Sequence, residues 1–194
     1  LHFGITARER YNGDDATHRY RTRPLNGRGA RYIDAGSGVA GQNDTTLGAE
    51  FAAQWNQFGV SAEYHQLSGE TAAGVSFDYD GYYVDAFWSL TGEPRSYRGN
   101  QGAFGAVAPR SAMGAGGFGH LMLSARYDHI DLSDPAGSST TRGEQSAYAV
   151  GLDWVPLDHV RLKFNYAMTE MDRTNPAQPD VDAEVISLRT QFDF

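Results

Sequence analysis

The sequence predicts an all-β chain folded as an antiparallel transmembrane β-barrel, and three observations predict it. The first is the closing segment from Val185 to Phe194. Ile186, Leu188, Phe192 and Phe194 fall on one side of it with only Thr190 interrupting, while Ser187, Arg189, Gln191 and Asp193 fall on the other. A period of two places these sets on opposite faces of a sheet, apolar toward lipid and polar toward a lumen. The second is hydropathy. The mean is −0.51, and no run of about 20 apolar residues exists for a helical crossing, whereas a barrel strand needs only every second residue to be apolar. The third is the spacing of the connections. Asn56-Gln57 and Pro156-Leu157-Asp158 are tight, but 68–79, 132–143 and 171–182 are long and rich in Asp, Gly, Ser and Pro, the asymmetry of short turns at one barrel end and loops at the other.

Nine strands are expected in order. The first, about 1–11, sends Leu1, Phe3, Ile5 and Ala7 to lipid and leaves Arg8 and Arg10 inside. The second, about 18–33, carries Arg19, Arg21 and Arg23 on one face; Pro24 and Asn26-Gly27 mark where it could split into two pieces, since proline favours edges and Asn-Gly a tight turn. Strands at 45–55, 58–67 and 80–91 place Glu50, Glu63 and Asp85 inside. In 117–131, Arg126 and Asp128 oppose Leu121, Leu123, Ala125 and Tyr127; 144–155 turns Asp153 inward. In 159–170, Arg161, Lys163 and Asn165 oppose Val160, Leu162, Phe164 and Tyr166, and 183–194 closes the series with Arg189 and Asp193 inside.

A terminal Phe of this kind belongs at the periplasmic end, which makes the tight turns periplasmic and the long loops extracellular. The tryptophans agree. Trp55 and Trp154 sit just before tight turns and Trp88 near the end of a strand running the same way, with Phe58, Phe192 and Phe194 at that level, as in an interfacial aromatic girdle. A soluble sandwich would bury its tryptophans mid-strand instead. Residues 92–116 break the pattern, running long on the periplasmic side; their length and the aromatics Tyr97 and Phe104 predict an ordered segment folded into the barrel mouth.

Composition adds two points. The net charge is −8, yet every cation except Lys163 is arginine, whose planar fork suits oxyanions; a genomic bias toward Arg codons would give the same count, so placement must decide. The chain has no cysteine, which fits an envelope protein without disulfides. It starts at Leu1 inside an alternating segment, without an initiator Met or leader, and is expected to be the C-terminal part of something longer.

Several motifs then carry a resemblance. Gly81-Tyr-Tyr-Val-Asp-Ala-Phe-Trp-Ser-Leu-Thr-Gly-Glu-Pro-Arg-Ser-Tyr97, Gly102-Ala-Phe104 with Pro109, Leu123 to Leu132, Gly151-Leu-Asp-Trp-Val-Pro156 and Val160 to Tyr166 follow one another in the order found in the phosphate-selective porin O and P family, which the chain resembles. Arg19-Tyr-Arg-Thr-Arg-Pro24 resembles that family's Arg-x-Arg-Pro element. The resemblance implies a trimeric porin of about sixteen strands in the bacterial outer membrane, with loops folded inward and arginines along an anion path. It also implies lipid and lipopolysaccharide as surroundings and no cofactor. The chain would form the C-terminal half or so of one barrel domain, residues 1–194, without the N-terminal loop that builds much of the constriction.

The anion path expected from the faces is Arg8, Arg10, Arg19, Arg21, Arg23, Arg126, Arg161, Lys163 and Arg189, against Glu50, Glu63, Asp85, Asp128, Asp153 and Asp193, an excess of three cations. Rings of arginine or lysine favour anions, and low-dielectric walls focus their field. Arg19, Arg21 and Arg23 on one strand would stand roughly 6.6 Å apart, close enough to hand an oxyanion along. The competing reading is that these cations pair with lumen carboxylates across strands. An enzyme is not expected. His120 and Ser124 share a face but lie about 13 Å apart along a strand, and no Gly-x-Ser-x-Gly element occurs. Asp128, His129, Asp131 and Asp134 read as solvated loop residues before they read as Ca²⁺ ligands, and no nucleic-acid motif is present. The functional alternative is a plugged barrel that anchors a larger envelope complex.

Overall fold

A computed structural model describes residues 1–11, 18–25, 29–36, 41–71, 73–134, 141–175 and 177–193. Eight strands form one antiparallel sheet: β1 (His2–Tyr11), β2 (Gly41–Trp55), β3 (Phe58–Thr71), β4 (Ser76–Ser89), β7 (His120–Asp131), β8 (Gly143–Leu157), β9 (Val160–Arg173) and β10 (Val181–Phe192). Each pairs with the next, in the order β1-β2-β3-β4-β7-β8-β9-β10, so the sheet is an open meander with β1 and β10 at its edges. Between β4 and β7, β5 (Tyr97–Arg98) and β6 (Ala103–Phe104) make a small separate hairpin. Asn56, at φ 52°, turns the chain between β2 and β3, a conformation its short polar side chain tolerates.

Register fixes the faces. Gly4 opposes Glu50, Glu50 opposes Glu63, Glu63 opposes Tyr83, Tyr83 opposes Asp128 and Asp128 opposes Ala147, which strings one inner wall across six strands. The outer face shows Phe3, Ile5, Leu47, Val84, Val150 and Phe164 to the surroundings. Exposure is strong at both sheet edges, where Ile5 is 90%, Ile186 71% and Leu188 73% exposed; Leu162 and Tyr166 are half-buried between neighbours. A sheet that turns its aliphatic side outward is a membrane-facing sheet. At the tight-turn end Phe58 stacks on Trp88 at 5.6 Å, and Phe118 on Trp154 at 5.2 Å. Phe194 lies outside the described residues.

Two corrections concern the strands. The expected second strand, 18–33, is not one. Among the described residues Arg21 makes an isolated bridge to Asp34, and Asp34 another to Thr141, and the described sheet has eight strands rather than nine. Pro24 has no N–H for a ladder, and the apolar residues of this stretch have a better burial site than lipid. Ile33 and Ala35 are fully buried against Phe77, Tyr79, Leu132 and Met171 on the inner face, with Tyr20 packed beside them; burial of Ile33 or Phe77 contributes about 1.5–3 kcal/mol each. Gly69 makes room for this core, since a Cβ there would lie 2.4 Å from the Phe77 ring. The Asn26-Gly27 turn lies outside the described residues.

At the long-loop end β2, β3, β4, β9 and β10 run further than the apolar alternation suggested, so the connection expected at 68–79 shrinks to 72–75 and that at 171–182 to 174–180. Above the apolar belt the outer face becomes acidic. Asp80 opposes Asp131, Asp131 opposes Glu144, and Glu144 opposes Asp172, a row of carboxylates across four strands. Pairing continues because backbone hydrogen bonding is indifferent to the side chains; only the lipid-facing signal ends there.

Candidate functional site

Residues 18–25 and 29–36 lie across the inner face at the long-loop end. Thr22 N–H donates to the Ile33 carbonyl at 3.1 Å and Ala35 N–H to the Tyr20 carbonyl at 3.0 Å, closing the segment on itself. Tyr20 OH donates to Asp44 on β2 at 2.5 Å. On the far side Asp34 N–H donates to the Thr141 carbonyl at 2.9 Å, and Gln145 Nε2 on β8 to the Arg23 carbonyl at 3.3 Å. The segment is therefore tied to strands on both sides of the wall it crosses.

This segment carries Arg19, Arg21, Arg23 and Arg31. Arg19 donates to Asp34 at 2.7 Å, and that hydrogen bond and charge raise its pKa. Arg31 is displaced the other way, by burial first and then by the fields of Arg21, Arg23 and Arg19. Arg21, Arg23 and Arg19 therefore stand near enough to Arg31 for their fields to act on it, with Asp34 acting in the opposite sense. Arg8 on β1 reaches the same cleft; it donates to Thr46 at 3.2 Å and stands 4.0 Å from Asp44.

The remaining cations of the expected path are on the wall, and most are paired. Arg10 is bound to Asp44. Arg126 donates to both oxygens of Asp128 at 2.7 and 2.6 Å, lies 3.6 Å from Asp85, and covers the Tyr83 ring at 3.8 Å. Lys163 contacts Asp153 at 2.6 Å. Arg189 donates to Gln191 at 2.9 Å, and Arg161 lies beside Lys163 on β9. Arg10, Arg126 and Lys163 thus brace the wall, and the arginine excess is carried by the inner segment. Arg31, inside the expected second strand, and Asp34, just beyond it, were not singled out in the sequence, because the fold of the segment and not a local pattern brings them to Arg19.

At the tight-turn end, residues 93–105 also lie against the inner wall. Arg95 sits over the rings of Phe87 and Phe104 at 4.9 and 5.4 Å and donates to the Gly105 and Phe104 carbonyls at 3.1 and 3.2 Å. Gln54 Nε2 on β2 donates to the Arg95 carbonyl at 3.0 Å, and Tyr97 packs on His2 at 5.6 Å. A cleft of about 380 Å³ separates the hairpin from Glu50, Glu63 and Tyr83.

Behind it Glu93 and His120 are buried together. His120 Nδ1 is 3.1 Å from Glu93 Oε2, and the Arg110 N–H donates to Oε1 at 3.0 Å. Burial by itself would raise the Glu93 carboxyl, but hydrogen bonds from Thr91, Arg110 and His120 outweigh it and bring the pKa down from 4.5 to about 2. A depressed carboxyl stabilises the fold above its unfolded pKa and loses that contribution as pH falls through the folded one. Glu93→Gln is therefore expected to cost on the order of 3 kcal/mol of local stability at neutral pH, with the difference from the parent vanishing between pH about 4.5 and 2. Hydrogen exchange of the amides in 92–116 measures it; an unchanged difference at both ends of that range contradicts it.

The enzyme and metal candidates are dispersed. His120 is engaged by Glu93 and Thr91, while Ser124 lies further along the inner face of β7. Asp128 points inward to Arg126, His129 outward to Ser146, and Asp131 to Ser133. Among the described residues no three His, Cys, Asp or Glu side chains converge on a metal position.

Comparison with known proteins agrees with this architecture. The family model described as phosphate-selective porin O and P matches residues 1–194. An uncharacterized protein of Caulobacter vibrioides is 32% identical over 201 residues, covering 100% of this chain and 39% of the relative. Porin O of Pseudomonas aeruginosa is 27% identical over 179 residues, covering 87% of this chain and 40% of its own length. The chain thus spans about two fifths of the curated relatives it matches.

Proposed function

The chain belongs to the phosphate-selective porin O and P family, and on that premise we propose that it forms the arginine-bearing part of an outer-membrane porin for passive diffusion of anions, phosphate or polyphosphate-type oxyanions among them. The observation that carries the reading is the guanidinium cluster of Arg19, Arg21, Arg23 and Arg31 on a segment laid across the inner wall. Fixed cations along a narrow path raise the local anion concentration and repel cations. Arginine forks accept an oxyanion through paired N–H groups, so phosphate lingers where chloride passes. In this reading lipid lies against the aliphatic belt, lipopolysaccharide surrounds the acidic rim, and two further copies complete a homotrimer.

Reversal potentials across a salt gradient in planar bilayers test it. The full-length porin is expected to prefer anions, with chloride current blocked by added phosphate. Cation preference would count against the assignment. A second reading draws on the segments 18–25, 29–36 and 93–105, which all occupy the inner face: a plugged barrel anchoring an envelope complex. The same recording separates the two, because a plugged barrel inserts without conducting.

A further inference from the structure

The cleft between the arginine segment and the wall is large and mostly apolar. Its volume is about 510 Å³, within the range of small-molecule sites and far beyond what one phosphate ion fills. Arg8, Arg19, Arg21 and Arg23 line one part of it, while Leu67, Tyr79, Ile130 and Leu132 supply the floor. Leu67 and Ile130 are only partly covered by the core beneath them. A hydrated inorganic anion gains nothing from such a floor, because the hydrophobic contribution scales with apolar area removed from water.

Leu25 adds an independent observation. It follows buried Pro24 and takes φ 28°, while its side chain is 38% exposed and lines the same cleft. A positive φ favours Gly or Asn. A branched leucine there is strained, and strain of this kind gathers at ligand-binding positions. The residue adds an apolar side chain to the cleft lining, where Gly or Asn would sit with less strain.

Resting on the anion-porin reading, we infer that this cleft takes phosphate monoesters bearing an apolar group, with the dianion on Arg8, Arg21 and Arg23 and the organic part on Leu67, Tyr79 and Ile130 beside Leu25. The charge of the arginines selects the phosphate end, and the floor distinguishes an ester from the inorganic ion. Arg19, held by Asp34, keeps the segment in place above the ligand.

Block of chloride current by phenyl phosphate and by inorganic phosphate, both as dianions in alkaline buffer, tests this in the full-length porin. Phenyl phosphate is expected to block at about tenfold lower concentration, the gain from removing roughly 60 Å² of apolar surface from water. Leu25→Asn, which suits the local backbone, and Leu67→Ser on β3 are each expected to bring the ratio of the two blocking concentrations toward one. Phosphate block without an advantage for the ester overturns the cleft assignment alone, as does an advantage that survives both substitutions. Absence of block by either anion overturns the anion-porin reading together with it.

Discussion

Replacing Arg21, Arg23 and Arg31 with glutamate is expected to turn the channel from anion-preferring to cation-preferring. The exchange moves the inner segment by six charge units, two at each of three positions, in the part of the path where burial and then the fields of Arg21 and Arg23 lower the Arg31 pKa. Inside a low-dielectric wall such a change reverses the local potential rather than merely weakening it. Arg19 is left in place because its hydrogen bond to Asp34 helps to close the segment. A glutamate there would set two carboxylates together and unseat the whole element, mixing a structural effect with an electrostatic one. Phosphate block should weaken by about tenfold or more as well, since a charge-assisted hydrogen bond contributes about 1.5–3 kcal/mol. The sign of the reversal potential reads the first effect and the concentration dependence of block the second. A triple variant that inserts, conducts and keeps the parent selectivity would remove the arginine segment from any selecting role.

The parts of this molecule that face lipid were legible in the sequence, and the parts inside were not. Lipid imposes a rule on every second residue, so Leu162, Phe164, Ile186 and Leu188 could be placed on the outer face from alternation alone. Trp55 and Trp154 likewise read as belonging to the tight-turn end. Inside the barrel no comparable rule operates. Tyr20 and Ile33 fell within the expected second strand, yet they pack on Phe77 and Met171 in a core built across several strands. Once that strand dissolves into a loop, the regular ladder expected of Arg19, Arg21 and Arg23 goes with it. What survives is their shared location in one cleft with Arg8. Glu93 and His120 meet across 27 residues of sequence, and the pairing of Arg126 with both Asp85 and Asp128 depends on register. Neither follows from a local pattern. The strand ends at 68–71, 76–79 and 171–173 were missed in the opposite sense, because polar stretches look like loops when lipid contact is the only signal of a strand.

Excising Tyr97 to Phe104 and joining Ser96 to Gly105 is expected to raise single-channel conductance. The two ends already lie close together, since Gly105 N–H donates to the Ser96 carbonyl at 2.7 Å, so a short local backbone shift brings them to peptide-bond distance. Arg95 would lose the Phe104 ring and carbonyl but keep its contact over Phe87 and its hydrogen bond to Gly105, and Gln54 would still hold the Arg95 carbonyl. The Glu93–His120 anchor lies outside the deletion and remains to seat the rest of the connection. What disappears is the hairpin standing against His2, Glu50 and Tyr83. If that hairpin narrows the periplasmic mouth, its removal widens the path and the unit current rises at every voltage. Selectivity should change little, because the arginine segment lies at the other end of the strands. An assembled deletion variant with the conductance of the parent would show that the hairpin lies clear of the conducting path. A variant whose conductance rose while its anion preference disappeared would place the selecting element at the periplasmic mouth and away from the arginines.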